Sequence, residues 1–143
     1  MKRQEIINEA RTWIGTKWVH QASLKGVGAD CVGLVRGVYR EITGIDTIVA
    51  LDYPATWHLF RKEERLYDEA KKHMTEIPTD EAKPGDVLMF GFRNLPAHHL
   101  GIMTENRTII HSYYDIGKVV EQRFDDAWSN SIRYAFRMPG VVD

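Results

Sequence analysis

Cys31 is the one cysteine among 143 residues, and six histidines (His20, His58, His73, His98, His99 and His111) are the groups that could act with it. The thiol sits in the run Gly28-Ala29-Asp30-Cys31-Val32-Gly33-Leu34-Val35. A lone cysteine cannot close an internal disulfide or supply a multi-thiolate zinc cage. Three roles are left: a buried apolar thiol, one ligand of a mixed metal site, or a nucleophile. Asp30 is a good helix N-cap and the residues after it have helical periodicity, so Cys31 is predicted in the first helical turn. There the unpaired amides and the helix dipole favour a thiolate. A core cysteine packed beside Leu34 and Val35 fits the same run, because free cysteine is among the most buried residue types.

A thiol nucleophile needs a general base within hydrogen-bond reach, and the base needs an orienting partner. His58 and His73 fall on or beside a heavily charged segment and read as surface residues. His20 lies in a glycine-rich loop before Cys31. His99 and His111 flank a predicted hairpin, Leu100–Ser112, whose turn is near Glu105-Asn106. Their separation of twelve is even. An odd turn such as Thr104-Glu105-Asn106 sets His99 directly opposite His111 on one face, whereas a two-residue turn puts them on opposite faces. With the odd turn one imidazole reaches the other, His99 faces Cys31, His111 fixes its tautomer, and His98 points the other way. A structural or surface histidine pair is the competing reading of these strands.

The elements that must position these groups follow from periodicity. Ile6, Ile7, Ala10, Trp13 and Ile14 mark a helix over 2–14 that Gly15 ends. Residues 15–29 read as a loop. Cys31 to Thr43 reads as a helix with a broad apolar face, stopped by Gly44. Residues 45–56 read as irregular, 57–73 as a charged helix with a solvated face, and Pro78–Gly85 as a linking loop. Short strands follow at Asp86–Phe92, Leu100–Thr104, Thr108–Ser112, Val119–Arg123 and Ile132–Arg137. Helices first and an antiparallel meander after them predict one α+β domain over 1–143, with the Cys31 helix packed on a strongly curved sheet. A net charge of −1 gives no electrostatic case for nucleic acid. No apolar run approaches the roughly 20 residues of a membrane span. Met1-Lys2-Arg3-Gln4-Glu5 leads into no apolar core of a signal peptide, so the chain is expected to be made in the cytoplasm.

Four of these segments together resemble the NlpC-type cell-wall peptidases. Asp30-Cys31-Val32-Gly33-Leu34-Val35 resembles their DCSGLV nucleophile motif, and Pro84-Gly85-Asp86-Val87-Leu88-Met89-Phe90 their PGDLVFF strand. His99-Leu100-Gly101-Ile102 resembles their HVGIY base motif, and Ile109-Ile110-His111-Ser112 their MIHA motif. Order and spacing agree over most of the chain. The segments Trp18-Val19-His20-Gln21-Ala22-Ser23 and Arg36-Gly37-Val38-Tyr39-Arg40-Glu41 look closer still to the branch found among the tail genes of phages and gene-transfer agents.

The resemblance implies a papain-like fold with Cys31 as nucleophile, His99 as base and His111 as orienting residue. It implies hydrolysis of peptidoglycan stem peptides between D-γ-glutamate and a diamino acid, often meso-diaminopimelate, with no metal or organic cofactor. Trp18 or His20 is a candidate to assist at the oxyanion, and Asp30 and Arg36 to meet the charged groups of the substrate. Val32 stands where the family usually has serine. Trp18 stands where it often has tyrosine, and an indole N–H donates a hydrogen bond but cannot accept one. The implied partners are the stem peptide and tail-like proteins that would carry the domain to the wall. Competing readings are a non-catalytic tail module, a zinc site of Cys31, His99 and His111, and an acyltransferase with a wider apolar entrance.

Overall fold

The computed structural model describes residues 1–47, 65–92 and 95–143. The expected irregular stretch 45–56, the first half of the charged helix and His58 lie wholly or largely outside the described residues.

Helix α1 (Arg3–Arg11) stops three residues before its predicted end, and buried Trp13 follows it in a turn. Helix α2 (Cys31–Thr43) starts and stops where the sequence predicts. Asp30 caps one end by accepting from the Gly33 amide, and Gly44 takes the left-handed conformation (φ 75°) at the other. The two helices cross closely because position 37 is glycine: a Cβ there would lie 2.2 Å from the Trp13 ring. Two short strands, β1 (Ser23–Leu24) and β2 (Gly28–Ala29), pair within the segment read as loop. Helix α3 (Arg65–His73) is the described part of the charged helix.

The sheet is built from β3 (Thr75–Ile77), β4 (Val87–Phe90), β5 (His99–Met103), β6 (Thr108–Tyr113), β7 (Lys118–Arg123) and β8 (Ile132–Arg137). Their order is β3-β8-β4-β5-β6-β7, and every neighbouring pair is antiparallel. Edge strand β3 is three residues long and mostly exposed, so it carries too little alternation to stand out in the sequence. Alternation gives the sheet two buried faces. Val87, Met89, Leu100, Ile102 and Ile110 face α1 and α2. Leu88, Phe90, Ile109 and Ala135 face the other way, against Trp128 of the short helix α4 (Asp126–Ser129).

The β5–β6 turn keeps the predicted parity but moves by one residue. Thr104 N–H donates to the Thr108 carbonyl at 3.0 Å, leaving Glu105-Asn106-Arg107 as the turn, with Arg107 at φ 58°. Side chains set this register. Thr108 Oγ1 donates to Glu121 at 2.7 Å and meets Thr104 Oγ1 at 2.6 Å. Ile102 therefore pairs with Ile110 and Met103 with Ile109. Extending that register puts Gly101, not His99, opposite His111. The two histidines share a face as diagonal neighbours.

One buried charge anchors the strand that precedes the site. Asp86 is fully buried. It accepts from Arg137 Nε and Nη2 at 3.0 and 2.9 Å, from Arg3 Nη1 at 3.0 Å and from the Lys83 amide at 2.9 Å. Removing this carboxylate takes both hydrogen bonds from the Arg137 guanidinium and leaves Arg3 with Asp143 alone as its carboxylate partner. Asp86→Ala is expected to cost about 3–5 kcal/mol of stability, read as a lower urea midpoint.

Candidate active site

The loop before Cys31 is wrapped over the first turn of α2. Asp30 uses one carboxylate oxygen on the Gly33 amide and the other on the Gln21 amide, both at 2.8 Å. Ser23 Oγ donates to the Gly33 carbonyl at 2.7 Å. The approach is close enough that a Cβ on Gly33 would stand 1.8 Å from the Ala22 carbonyl oxygen. Gly33→Ala must therefore push the loop off the helix. We expect a loss of at least about 3 kcal/mol by overpacking, measurable by denaturant unfolding.

The N-terminal end of α2 fits where β5 and β6 part. Their ladder runs through Ile102–Ile110 and Met103–Ile109. Beyond it, the Leu100 amide turns to the Cys31 sulfur, and the Ser112 hydroxyl donates to the Ala29 carbonyl at 2.6 Å. Cys31 is thus held against β5 by the amide that follows His99. Part of the residue is solvent-accessible, but burial still pushes its thiol up to about 12, with the Asp30 carboxylate adding to the rise. The amides of Leu100, Val32 and Cys31 pull the other way and do not win. The thiolate expected from the helix N-terminus is therefore not the resting form: desolvation outweighs the dipole.

His99 and His111 pack together on the side of the sheet that carries Phe90 and Trp128. His99 Nε2 and His111 Nδ1 are 2.7 Å apart, and His111 Nε2 lies 2.9 Å from Gln122 Oε1. Phe90, Tyr113 and Trp128 enclose the rings, with Trp128 edge-on to His111 at 4.9 Å and Tyr113 stacked on it at 5.5 Å. Both histidines are buried. Burial, with the charges of His111 and His98 adding to it, holds His99 well below the usual histidine range. Burial lowers His111 to about 4 against the opposing Gln122 bond. Both imidazoles are neutral at neutral pH.

The other site residues named by the sequence are placed differently. His98, on the opposite side of the chain from His99, lines a largely apolar cavity together with Cys31, Val32, Val35, Arg36 and Leu100. Arg36 is on that wall but ion-paired to Asp46 at 2.8 and 3.0 Å. Asp30 serves the main chain as described. Trp18 stacks with His20 (6.3 Å) and meets Tyr114 edge-on (4.9 Å). Neither Trp18 nor His20 is among the described residues of the cavity wall. Gln122, Tyr113 and Trp128 were not singled out from sequence. A polar residue two positions from Val120, which pairs with His111, was the available signal for Gln122.

Among the described residues, no three His, Cys, Asp or Glu side chains are grouped to hold a metal ion. No helix among them is long and apolar enough to cross a membrane. The facing nitrogens of His99 and His111 are engaged with each other, which does not suit the zinc reading.

Comparison with solved structures gives the same architecture. The NlpC/p60 domain of the peptidoglycan hydrolase SagA superposes with a TM-score of 0.67 at 23% identity, over 96% of this chain and 100% of that one. An NLP/P60-family protein from Staphylococcus aureus, described as similar to lipoprotein, gives 0.65 at 21%, over 99% of this chain but 42% of that one. RipD from Mycobacterium tuberculosis, described as a non-catalytic NlpC/p60 domain protein adapted to peptidoglycan binding, gives 0.59 at 15%, over 94% and 95%. No curated protein matches the sequence. These likenesses carry the fold. The sequence match runs over residues 15–137, from the glycine after α1 to the end of β8, and so spans the α2 start and both histidine strands: the chain belongs to the NlpC/P60 family.

Proposed function

We propose that this chain is a cysteine peptidase that hydrolyses peptidoglycan stem peptides between D-γ-glutamate and the diamino acid. One observation carries the reading: the Cys31 sulfur accepts from the amide of Leu100, the residue that follows His99, and His99 is in turn hydrogen-bonded to His111. Sγ attacks the γ-carbonyl carbon while His99 takes the thiol proton. The oxyanion is held by main-chain amides at the start of α2. Collapse breaks the C–N bond, and His99 returns the proton to the leaving amine. Water, activated by His99, then hydrolyses the thioester and frees Cys31. His111 holds His99. Arg36, on the cavity wall, takes a substrate carboxylate in place of Asp46. In this reading the protein is made in the cytoplasm and reaches the wall with a phage-tail or gene-transfer-agent assembly. The motif detail around Trp18 and Arg36 supports that last step.

A second reading is a wall-binding or docking module without turnover. Burial of a neutral thiol and two neutral imidazoles favours it. Digestion of purified stem peptides, followed by mass spectrometry, separates the two. A fragment pair split after D-γ-glutamate supports the peptidase. Intact peptides, with the protein still bound to isolated wall, support the module.

A further inference from the structure

We propose that Gln122 is the positioning residue that sets which nitrogen of His99 can act as the base. This inference rests on the peptidase reading for its kinetics, but not for its structural test. His111 is fully buried, and its contacts leave little freedom of assignment. Gln122 presents its carbonyl oxygen, Oε1, to His111 Nε2 at 2.9 Å. A carbonyl oxygen only accepts, so His111 Nε2 carries the proton. A neutral imidazole has one N–H, so His111 Nδ1 is bare and accepts from His99 Nε2 across 2.7 Å. That fixes the one proton of His99 on Nε2 and leaves Nδ1 with its lone pair. The acceptor on β7 thus determines proton positions two rings away. Were Gln122 to present its NH2 instead, every donor in the row would reverse and His99 Nδ1 would be protonated.

The surroundings keep the row in place. Tyr113 stacks on His111 and Trp128 stands edge-on to it. The titratable groups around His111 are His99 from β5 and Tyr113 from its own strand; Gln122 of β7 and Trp128 of α4 do not titrate. None of them is charged at neutral pH, so among the described residues no ion pair competes with Gln122 for the direction of the row. The depressed histidine values agree with neutral rings.

The test uses the full chain. Imidazole 15N spectra of Cys31→Ala protein should give His111 and His99 each as the Nε2–H tautomer. Adding Q122M, which keeps length but accepts no comparable hydrogen bond, should convert His111 to a tautomer mixture. In the Cys31-containing protein, Q122M should lower kcat for stem peptide about 10- to 100-fold with KM little changed. Q122E keeps an acceptor and should preserve both tautomers above the His111 pKa. Its carboxylate favours the imidazolium, so the acid limb of its pH–rate profile should move to higher pH. Unchanged tautomers in Q122M would overturn the inference whether or not the protein cleaves anything. So would wild-type kcat and an unmoved acid limb in the two variants. Cys31→Ala protein that shows the two tautomers, and loses them when Q122M is added, would uphold the directing role even if wild-type protein cleaved no stem peptide; the absence of cleavage would count against the peptidase reading alone.

Discussion

Cys31→Ala protein is expected to fold as the wild type does and to lose at least about 10⁴-fold in stem-peptide hydrolysis. The substitution removes one sulfur from a partly exposed helix start. One contact depends on it, the Leu100 amide that turns to the sulfur; the Asp30 cap, the Ser23 tether and the Ser112–Ala29 bond involve other atoms. A stability loss of about 1–3 kcal/mol, the cost of leaving that buried amide unsatisfied, is therefore expected. Hydrolysis has no substitute, because Cys31 is the one thiol in the chain. Thermal unfolding and peptide digestion on one preparation check both halves. Retained hydrolysis would contradict the mechanism, and a collapsed fold would contradict the description of α2.

Alkylation of Cys31 by iodoacetamide is expected to be about 10³-fold slower at pH 7.5 than for an ordinary exposed thiol. The thiolate is the reacting form. Burial raises the thiol from 9.0 to about 12, so its anionic fraction at neutral pH drops by about three powers of ten. The sign follows from the direction of the shift: the rate should climb about tenfold per pH unit and keep climbing past pH 10. A plateau near neutrality would mean a thiolate–imidazolium pair at rest. The depressed His99 argues against one, since the imidazolium would be populated only in acid. The same depression has a consequence for turnover. A base that stays unprotonated below pH 6.5 keeps activity there, so the acid limb of kcat/KM should lie below the usual histidine range. Together the two shifts describe general-base catalysis, in which the proton leaves sulfur as the carbonyl is attacked, rather than a preformed ion pair.

The parts of this site that depend on neighbouring residues were legible in the sequence. Asp30 and Gly44 bound α2 by their own chemistry, so Cys31 was placed in the right turn. The even spacing of His99 and His111 required an odd turn for a shared face, and an odd turn formed. What local spacing could not give was the register, because Thr104, Thr108 and Glu121 share hydroxyl bonds that move the turn by one residue. Nor could it give the ionisation. The enclosure that neutralises His99 and His111 comes from Phe90, Tyr113 and Trp128, which lie on three separate elements. Alternation correctly set His98 and His99 apart. It missed that the cavity beside α2, which Cys31 lines, is shared with His98 rather than His99. Gln122 was hidden among Lys118, Glu121 and Arg123, where one more polar residue in an edge strand carries no signal until its partner across the ladder is known.

The most direct test of Cys31 as the nucleophile is intact-protein mass spectrometry of wild-type enzyme quenched in acid while it turns over stem peptide. The account predicts a covalent adduct with the mass of the acyl fragment ending in D-γ-glutamate, mapped to the peptide that contains Cys31. Cleavage that proceeds with no adduct on that peptide, and at the same rate in Cys31→Ala protein, would contradict it.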